Sequence, residues 1–172
     1  MKSKLADYDA VVLAGGQGTR VRHLLPEGTP KIMADVNGEP FGSVLYRHLR
    51  GSGFERFILC AGYGGDRLIQ WLTAVLPAYT RHWMAADGDS VFTDIGDRIK
   101  IVTERRPLGT AGAIRNVLEF IKSDPFWVCN GDTFCHEDYA AMLDYHVRSK
   151  SVITVAHDDR MRHVGTFVAS KK

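Results

Sequence analysis

The apolar run Ala10-Val11-Val12-Leu13 leads without a break into Ala14-Gly15-Gly16-Gln17-Gly18-Thr19-Arg20, and Pro30-Lys31 closes the segment downstream. That order reads as a buried strand, Tyr8 to Leu13, emptying into a glycine loop. Glycines at 15, 16 and 18 let the backbone take φ > 0 and approach a ligand with no Cβ in the way. Successive N–H groups exposed in such a turn form a concave anion site. Arg20 and Lys31 add positive charge beside it. A guanidinium offers a planar fork of donors and an ammonium a compact point charge, and both suit phosphate oxygens.

Two common phosphate loops do not fit. A P-loop needs Gly-Lys-Ser/Thr after its first glycine, and the chain contains no Gly-Lys pair. A dinucleotide fingerprint counted from Gly16 needs glycine or alanine at the position held by Val21. Leu-Ala-Gly-Gly-x-Gly-Thr-Arg followed by Pro-Lys instead resembles the sugar-1-phosphate nucleotidylyltransferase family. Those enzymes join a nucleoside triphosphate to a sugar 1-phosphate and release pyrophosphate. The resemblance implies a three-layer α/β/α, Rossmann-like fold with a mainly parallel sheet.

The rest of the chain agrees with that architecture. A short strand is predicted over Ile32–Val36, ended by Asn37-Gly38, and a helix over Phe41–Arg50. A buried strand, Phe57–Ala61, turns at Gly62–Gly65 into a helix from Asp66 to Leu76, stopped by Pro77. Arg98–Thr103 alternates as a strand, Pro107–Gly112 is a loop, and Ala113–Ile121 is a helix. Phe126–Cys129 is a strand ending at Asn130-Gly131-Asp132; a helix over Glu137–Val147 and a strand over Ser151–Ala156 follow. Alternating strands and helices predict a parallel sheet covered on both faces. Between them, Asp87-Gly88-Asp89 resembles a fragment of a calcium loop, but Val91 and the missing glutamate leave it an exposed turn.

In an open α/β sheet ligands bind outside the carboxyl ends of the strands. Gly15–Arg20, Pro107–Gly112 and Gly131-Asp132 each follow a different strand, so they are expected to converge on one edge. A carboxylate there, at Asp132, opposite Arg20 and Lys31 suits a magnesium–triphosphate site, since Mg²⁺ takes one or two carboxylates plus substrate phosphates. The segment Glu104 to Gly112, with Pro-Leu-Gly-Thr-Ala-Gly at its end, is similar to the family's base-recognition segment, closest to the mannose and heptose 1-phosphate guanylyltransferases. Gly109 and Gly112 allow a flat base near the backbone, and Thr110 can cap the following helix. The resemblance thus implies Arg20 and Lys31 as the catalytic cations. It implies Leu13, Ala14, Gly15, Gly16, Gly18, Thr19, Gly109, Thr110, Ala111 and Gly131 around the nucleotide. Asp132 is the implied ligand of Mg²⁺.

Length and composition fit one nucleotidyltransferase domain over residues 1–172, with 45 % hydrophobic residues and a net charge of 22 − 20 = +2. No block of like charge suggests a nucleic-acid arm. No apolar run reaches the ~18 residues of a membrane span, and the first residues lack a signal-peptide core. Cys60, Cys129 and Cys135 have no CxxC spacing and read as buried thiols of a cytoplasmic protein. His48 and His146 lie near apolar stripes as packing residues, and neither Ser43 nor Ser123 sits in a nucleophile elbow. Family members continue further, with a Glu-Lys pair and a late aspartate completing the sugar site. The chain is therefore expected to lack the C-terminal part of that site, and Asp158 and Asp159 come too early to replace it. The expected partners are a nucleoside triphosphate, with GTP favoured, and a sugar 1-phosphate. The alternatives are a nucleotide-binding homologue with little turnover, or a cytidylyl- or uridylyltransferase of the same fold.

Overall fold

A strand buried on both faces presents apolar side chains at nearly every position rather than every second one, and Asp9–Ala14 (β1) does so from Ala10 onward, with Val11 wholly buried. The computed structural model describes residues 3–75, 80–84, 90–95, 98–160 and 162–171. The Asp87–Asp89 turn and the helix stop at Leu76-Pro77 lie outside the described residues. After β1 come Asp35–Val36 (β2), Glu39–Pro40 (β3), Phe41–Ser52 (α1), Arg56–Ala61 (β4) and Gly65–Val75 (α2). Then follow Thr80–Met84 (β5), Ser90–Ile95 (β6), Ile99–Glu104 (β7) and Gly109–Val117 (α3). Phe126–Asn130 (β8), Tyr139–Ser149 (α4), Ile153–His157 (β9) and His163–Ala169 (β10) complete the order.

The main sheet has eight strands in the order β5-β6-β7-β4-β1-β8-β10-β9. The centre, β7-β4-β1-β8, is parallel as expected. The flanks are antiparallel pairs, so the sheet is mixed, with β6 and β10 running against the rest. β2 and β3 form a separate two-stranded ribbon. Its turn, Asn37-Gly38, takes positive φ at both residues, as the sequence predicted. The expected strand over Ile32–Val36 is instead a single 3₁₀ turn, Lys31–Met33, followed by β2.

Alternation along β1 splits the core into two layers. Ala10, Val12 and Ala14 face Leu45 and Leu49 of α1, Leu68 and Leu72 of α2, and Leu143 of α4. Val11 faces the other way, with Ile58, Val102 and Val128, against Ala113 and Val117 of α3. The sheet is therefore covered on both faces, which makes three layers. Each of the buried Val, Leu and Ile side chains among these contributes on the order of 1.5–3 kcal/mol. Several helix boundaries differ from the sequence reading. α4 starts later than Glu137 because the Asp138 carboxylate accepts the Ala141 N–H and caps it there. α3 ends at Val117, where a 3₁₀ turn over Leu118–Phe120 replaces the last predicted turn.

The connections decide where a ligand can sit. β1–α1–β4 steps to one side of β1, whereas β8 lies on the other side of β1. The chain therefore leaves the carboxyl ends of β1 and β8 in opposite directions, which opens a crevice between them.

Candidate active site

A cavity of about 410 Å³ lies at that crevice. It is lined by Leu13 through Arg20, by Lys31, by Glu104, Pro107, Gly109 and Thr110, and by Asn130, Gly131 and Asp132. The three loops expected to converge thus meet in one place. Of the residues singled out from the sequence, Leu13, Ala14, Gly15, Gly16, Gly18, Thr19, Arg20, Lys31, Gly109, Thr110, Gly131 and Asp132 all border it. Ala111 does not: the loop expected over Pro107–Gly112 becomes helix from Gly109, and Ala111 lies exposed on the first turn.

The expected cap at Thr110 is likewise displaced. Leu108 occupies the N-cap position with no side-chain bond, and Gly109 at φ +69° turns the chain into α3. The Leu108 N–H instead donates to Glu104 Oε2 at 3.4 Å. Of Gly15, Gly16 and Gly18, only Gly18 adopts positive φ, at +60°. Gly16 faces open space, and Gly15 lies against a carboxylate: a Cβ there would stand 2.9 Å from Glu104 Oε1 and displace it.

Gly131 brings the metal candidate to its place. Its N–H donates to Leu13 O at 2.8 Å, and a Cβ on it would meet Leu13 O, Ala14 and Ile32. The chain can therefore lie tight against β1, which delivers Asp132 to Lys31: Nζ donates to Oδ2 at 2.7 Å. Ile32, beside Lys31, is buried and anchors the 3₁₀ turn from the other side. Partial burial alone would raise the Asp132 carboxyl. The Lys31 ammonium, with the Thr133 hydroxyl, outweighs it and holds the group below the usual carboxylate range. Burial pushes Glu104 the other way, up, against a single backbone hydrogen bond from Leu108.

The chain's match to known proteins follows this geometry. Residues 9–164 match the pattern of the nucleotidyl transferase family. The chain belongs to that family. Two of its relatives are named for the sugar 1-phosphates they act on. Mannose-1-phosphate guanylyltransferase of Mycobacterium tuberculosis is 36 % identical over 147 residues, which are 86 % of this chain and 36 % of that protein. D-glycero-alpha-D-manno-heptose 1-phosphate guanylyltransferase of Campylobacter jejuni is 32 % identical over 133 residues, 77 % of this chain and 51 % of that protein. The chain thus spans about a third to a half of these relatives. HddC from Yersinia pseudotuberculosis, also solved complexed with GMP-PN, superposes with a TM-score of 0.72 at 27 % identity, over 95 % of this chain and 77 % of that one.

Two residues escaped the sequence reading, Glu104 in the cavity wall and Tyr63 behind the glycine loop. Glu104 entered only as the start of a segment, although a carboxylate at the carboxyl end of an apolar strand is itself a signal. Tyr63 was absorbed into a plain Gly62–Gly65 turn, although an aromatic ring set among glycines at the ligand edge is unusual for a mere connection. The remaining expectations are structural: Cys60, Cys129 and Cys135 are free and buried. His146 lies buried between Thr154 Oγ1 and Ser170 Oγ, at 2.9 and 3.0 Å. Asp158 pairs with Arg162 in the β9–β10 turn. Among the described residues no helix is long and apolar enough to cross a membrane.

Proposed function

We propose that this chain is a nucleotidyltransferase domain that binds GTP and joins its guanylyl group to a sugar 1-phosphate, releasing pyrophosphate, in the supply of a nucleotide sugar for a surface glycan. The observation that carries this reading is the meeting of Arg20, Lys31 and Asp132, from three separate segments, in one cleft floored by the glycine loop. The relatives named above, both guanylyltransferases of sugar 1-phosphates, support the same class. The buried free thiols suit a reducing compartment, so the reaction is assigned to the cytoplasm.

The preference for guanine rests on Glu104. A carboxylate has two acceptor oxygens and no donor. Guanine is the base whose Watson–Crick edge presents two adjacent N–H donors, N1–H and N2–H. Glu104 Oε1 lies against Gly15 at the far wall of the cleft from Asp132, so a purine reaching it leaves its phosphates toward Arg20 and Lys31.

The sugar phosphate is already largely dianionic at neutral pH, its second pKa being about 6, so it can attack the α-phosphorus without a general base. The phosphorus–oxygen bond to the β-phosphate breaks and pyrophosphate leaves in line. The protein supplies positioning and charge neutralisation. Arg20 holds the departing β- and γ-phosphates, and Lys31 leaves Asp132 to meet the α-phosphate and the incoming sugar phosphate.

The described residues offer no cluster of three or more His, Cys, Asp or Glu able to cage a metal ion. Magnesium needs no such cage, because it keeps waters and takes one or two carboxylates with substrate phosphates. Asp132 beside the phosphate path fits that demand and would hold Mg²⁺, which when bound supplies further neutralisation of the triphosphate.

The decisive experiment measures pyrophosphate release with each of four nucleoside triphosphates against a panel of hexose and heptose 1-phosphates. Release with GTP and one sugar 1-phosphate is the expected result. GTP binding with no release for any acceptor would instead identify a nucleotide-binding homologue.

A further inference from the structure

The phosphate loop is long, and something must fix its two ends relative to each other. Three separate points of it converge on one residue outside the loop, through its backbone and its side chain. Tyr63, in the turn between β4 and α2, donates its backbone N–H to Gly15 O at 3.4 Å, where the loop begins. Its phenolic oxygen accepts the Gly28 N–H at 3.0 Å, near where the loop ends. Its ring carries the Arg22 guanidinium 4.4 Å from the centroid, and Arg22 Nη2 in turn donates to Gln17 O at 3.2 Å.

The glycines on either side of Tyr63 allow this wedge. A Cβ on Gly62 would stand 2.8 Å from Gly15 O, and one on Gly64 would stand 2.5 Å from Gly28 O and 2.7 Å from Pro30 Cδ. Both neighbours are therefore in backbone contact with the loop, one at each end. The turn acts as a spacer that sets how far Gly15–Arg20 lies from Pro30-Lys31. Arg22 is meanwhile held against an aromatic face. The stacking uses the ring quadrupole and ties Arg22 to the turn as well as to Gln17.

We infer that Tyr63 is the positioning residue of the phosphate loop, a clasp whose hydroxyl and ring hold the loop in the conformation that receives the triphosphate. This inference rests on the nucleotide reading above for its ligand but not for its geometry. It touches no reacting atom, so its loss weakens nucleotide capture rather than the chemical step.

The test uses the full chain with Tyr63→Phe, Tyr63→Leu and Arg22→Ala. GTP–Mg²⁺ affinity is measured by calorimetry. Tryptic nicking after Arg20 is followed by mass spectrometry. A Val11→Ala variant serves as a control for stability loss without loop contact. Tyr63→Phe removes one hydrogen bond and is expected to weaken nucleotide binding about fivefold, the equivalent of one net hydrogen bond. Tyr63→Leu also removes the ring, and both its loss of affinity and its nicking rate are expected to reach about tenfold. Arg22→Ala in the Tyr63→Leu background is expected to add little, because the two act as one unit. Val11→Ala is expected to leave affinity unchanged at temperatures well below its unfolding. KM for nucleotide should rise in the Tyr63 variants while kcat stays within about twofold.

Should Tyr63→Leu fail to fold, Tyr63→Phe keeps the ring and decides alone. Affinity and nicking at the wild-type level in Tyr63→Phe and Tyr63→Leu would overturn the clasp. A wild-type chain that binds none of the triphosphates would overturn the nucleotide reading instead, and the nicking rates would still judge Tyr63.

Discussion

Replacing Lys31 by methionine separates a structural ion pair from a catalytic one by magnitude. The methionine keeps an unbranched stem where Lys31 packs beside Gly18, so the change removes charge and little else. The lost contact is the 2.7 Å bond to Asp132, between side chains that are 30 % and 36 % exposed. Ion pairs with that much solvent are worth about 0.2–1 kcal/mol, so Tm is expected to fall by less than about 4 °C for a chain of this size. A cation that meets charge developing in the transition state is worth about 2–4 kcal/mol. Turnover is therefore expected to fall between roughly thirtyfold and a thousandfold. Thermal denaturation and pyrophosphate release on the same preparation provide the two readings. The pH dependence has a definite sign. Lys31 lowers the folded-state pKa of Asp132, so the pair's small stabilisation is present above the unfolded carboxylate value of about 3.9. It disappears as pH falls through the depressed folded value. A Tm loss above about 8 °C, or turnover within about threefold of wild type, would refute the assignment of Lys31 to the chemistry.

Gly18→Val is expected to abolish nucleotide-induced thermal stabilisation, because φ +60° is strained for a β-branched residue. Gly16→Ala should leave the stability of the free protein within about 0.5 kcal/mol of wild type in urea denaturation, since its Cβ meets nothing. Glu104→Gln should cut the preference for GTP over ATP by about 1–3 kcal/mol, read as the ratio of kcat/KM values, because one of two acceptors for guanine becomes a donor. Asp9→Asn should cost about 3 kcal/mol in urea denaturation: the buried carboxylate accepts from Arg56 Nε and from the Lys122 and Ser123 N–H groups at 2.7–2.8 Å. Burial opposes ionisation of Asp9, but Arg56 and the two N–H groups win and depress its pKa. Wild type and Asp9→Asn should accordingly differ most above the unfolded carboxylate pKa and converge as pH falls through the folded one.

The central strands were legible because β1, β4 and β8 are apolar at nearly every position, and a run buried on both faces has one interpretation in a chain that alternates strands with helices. The site was legible through the strands' carboxyl ends: once these were parallel neighbours, Arg20 and Asp132 had to meet. The antiparallel flanks were not legible. β10 contains Gly165 and begins with His163, and nothing local distinguishes its direction from that of a crossover strand. The start of α3 was missed for a reason of the same kind. Pro107 and Gly109 signal a loop, but Gly109 makes the turn with one residue and the helix follows at once. Tyr63 was invisible because its three loop partners lie at separations from 35 to 48 residues, and no window contains them.

β1 links the two edges of the sheet. At its start, Asp9 joins the strand to Arg56 of β4 and to the Lys122–Ser123 backbone that leads into β8. At its end, Leu13 O receives the Gly131 N–H, which sets Asp132. The same pairing runs between, from Ala10 opposite Trp127 to Leu13 opposite Asn130. A slip of one residue would move Asp132 by about 3.3 Å and turn it to the other face of the sheet, and its contact with Lys31 could not survive. Asp9 thus braces the strand pairing that sets Asp132 from the opposite end of the sheet. Two outcomes for Asp9→Asn follow from this. If the parallel ladder alone holds register, the variant unfolds earlier yet turns over normally at temperatures well below its Tm. If Asp9 is needed to select register, activity falls in a folded protein, and amide exchange along β8 rises with it. The four paired positions between β1 and β8, all apolar on β1, argue for the first outcome, because a slip would also move Trp127 from its own core layer into the layer on the opposite face of the sheet.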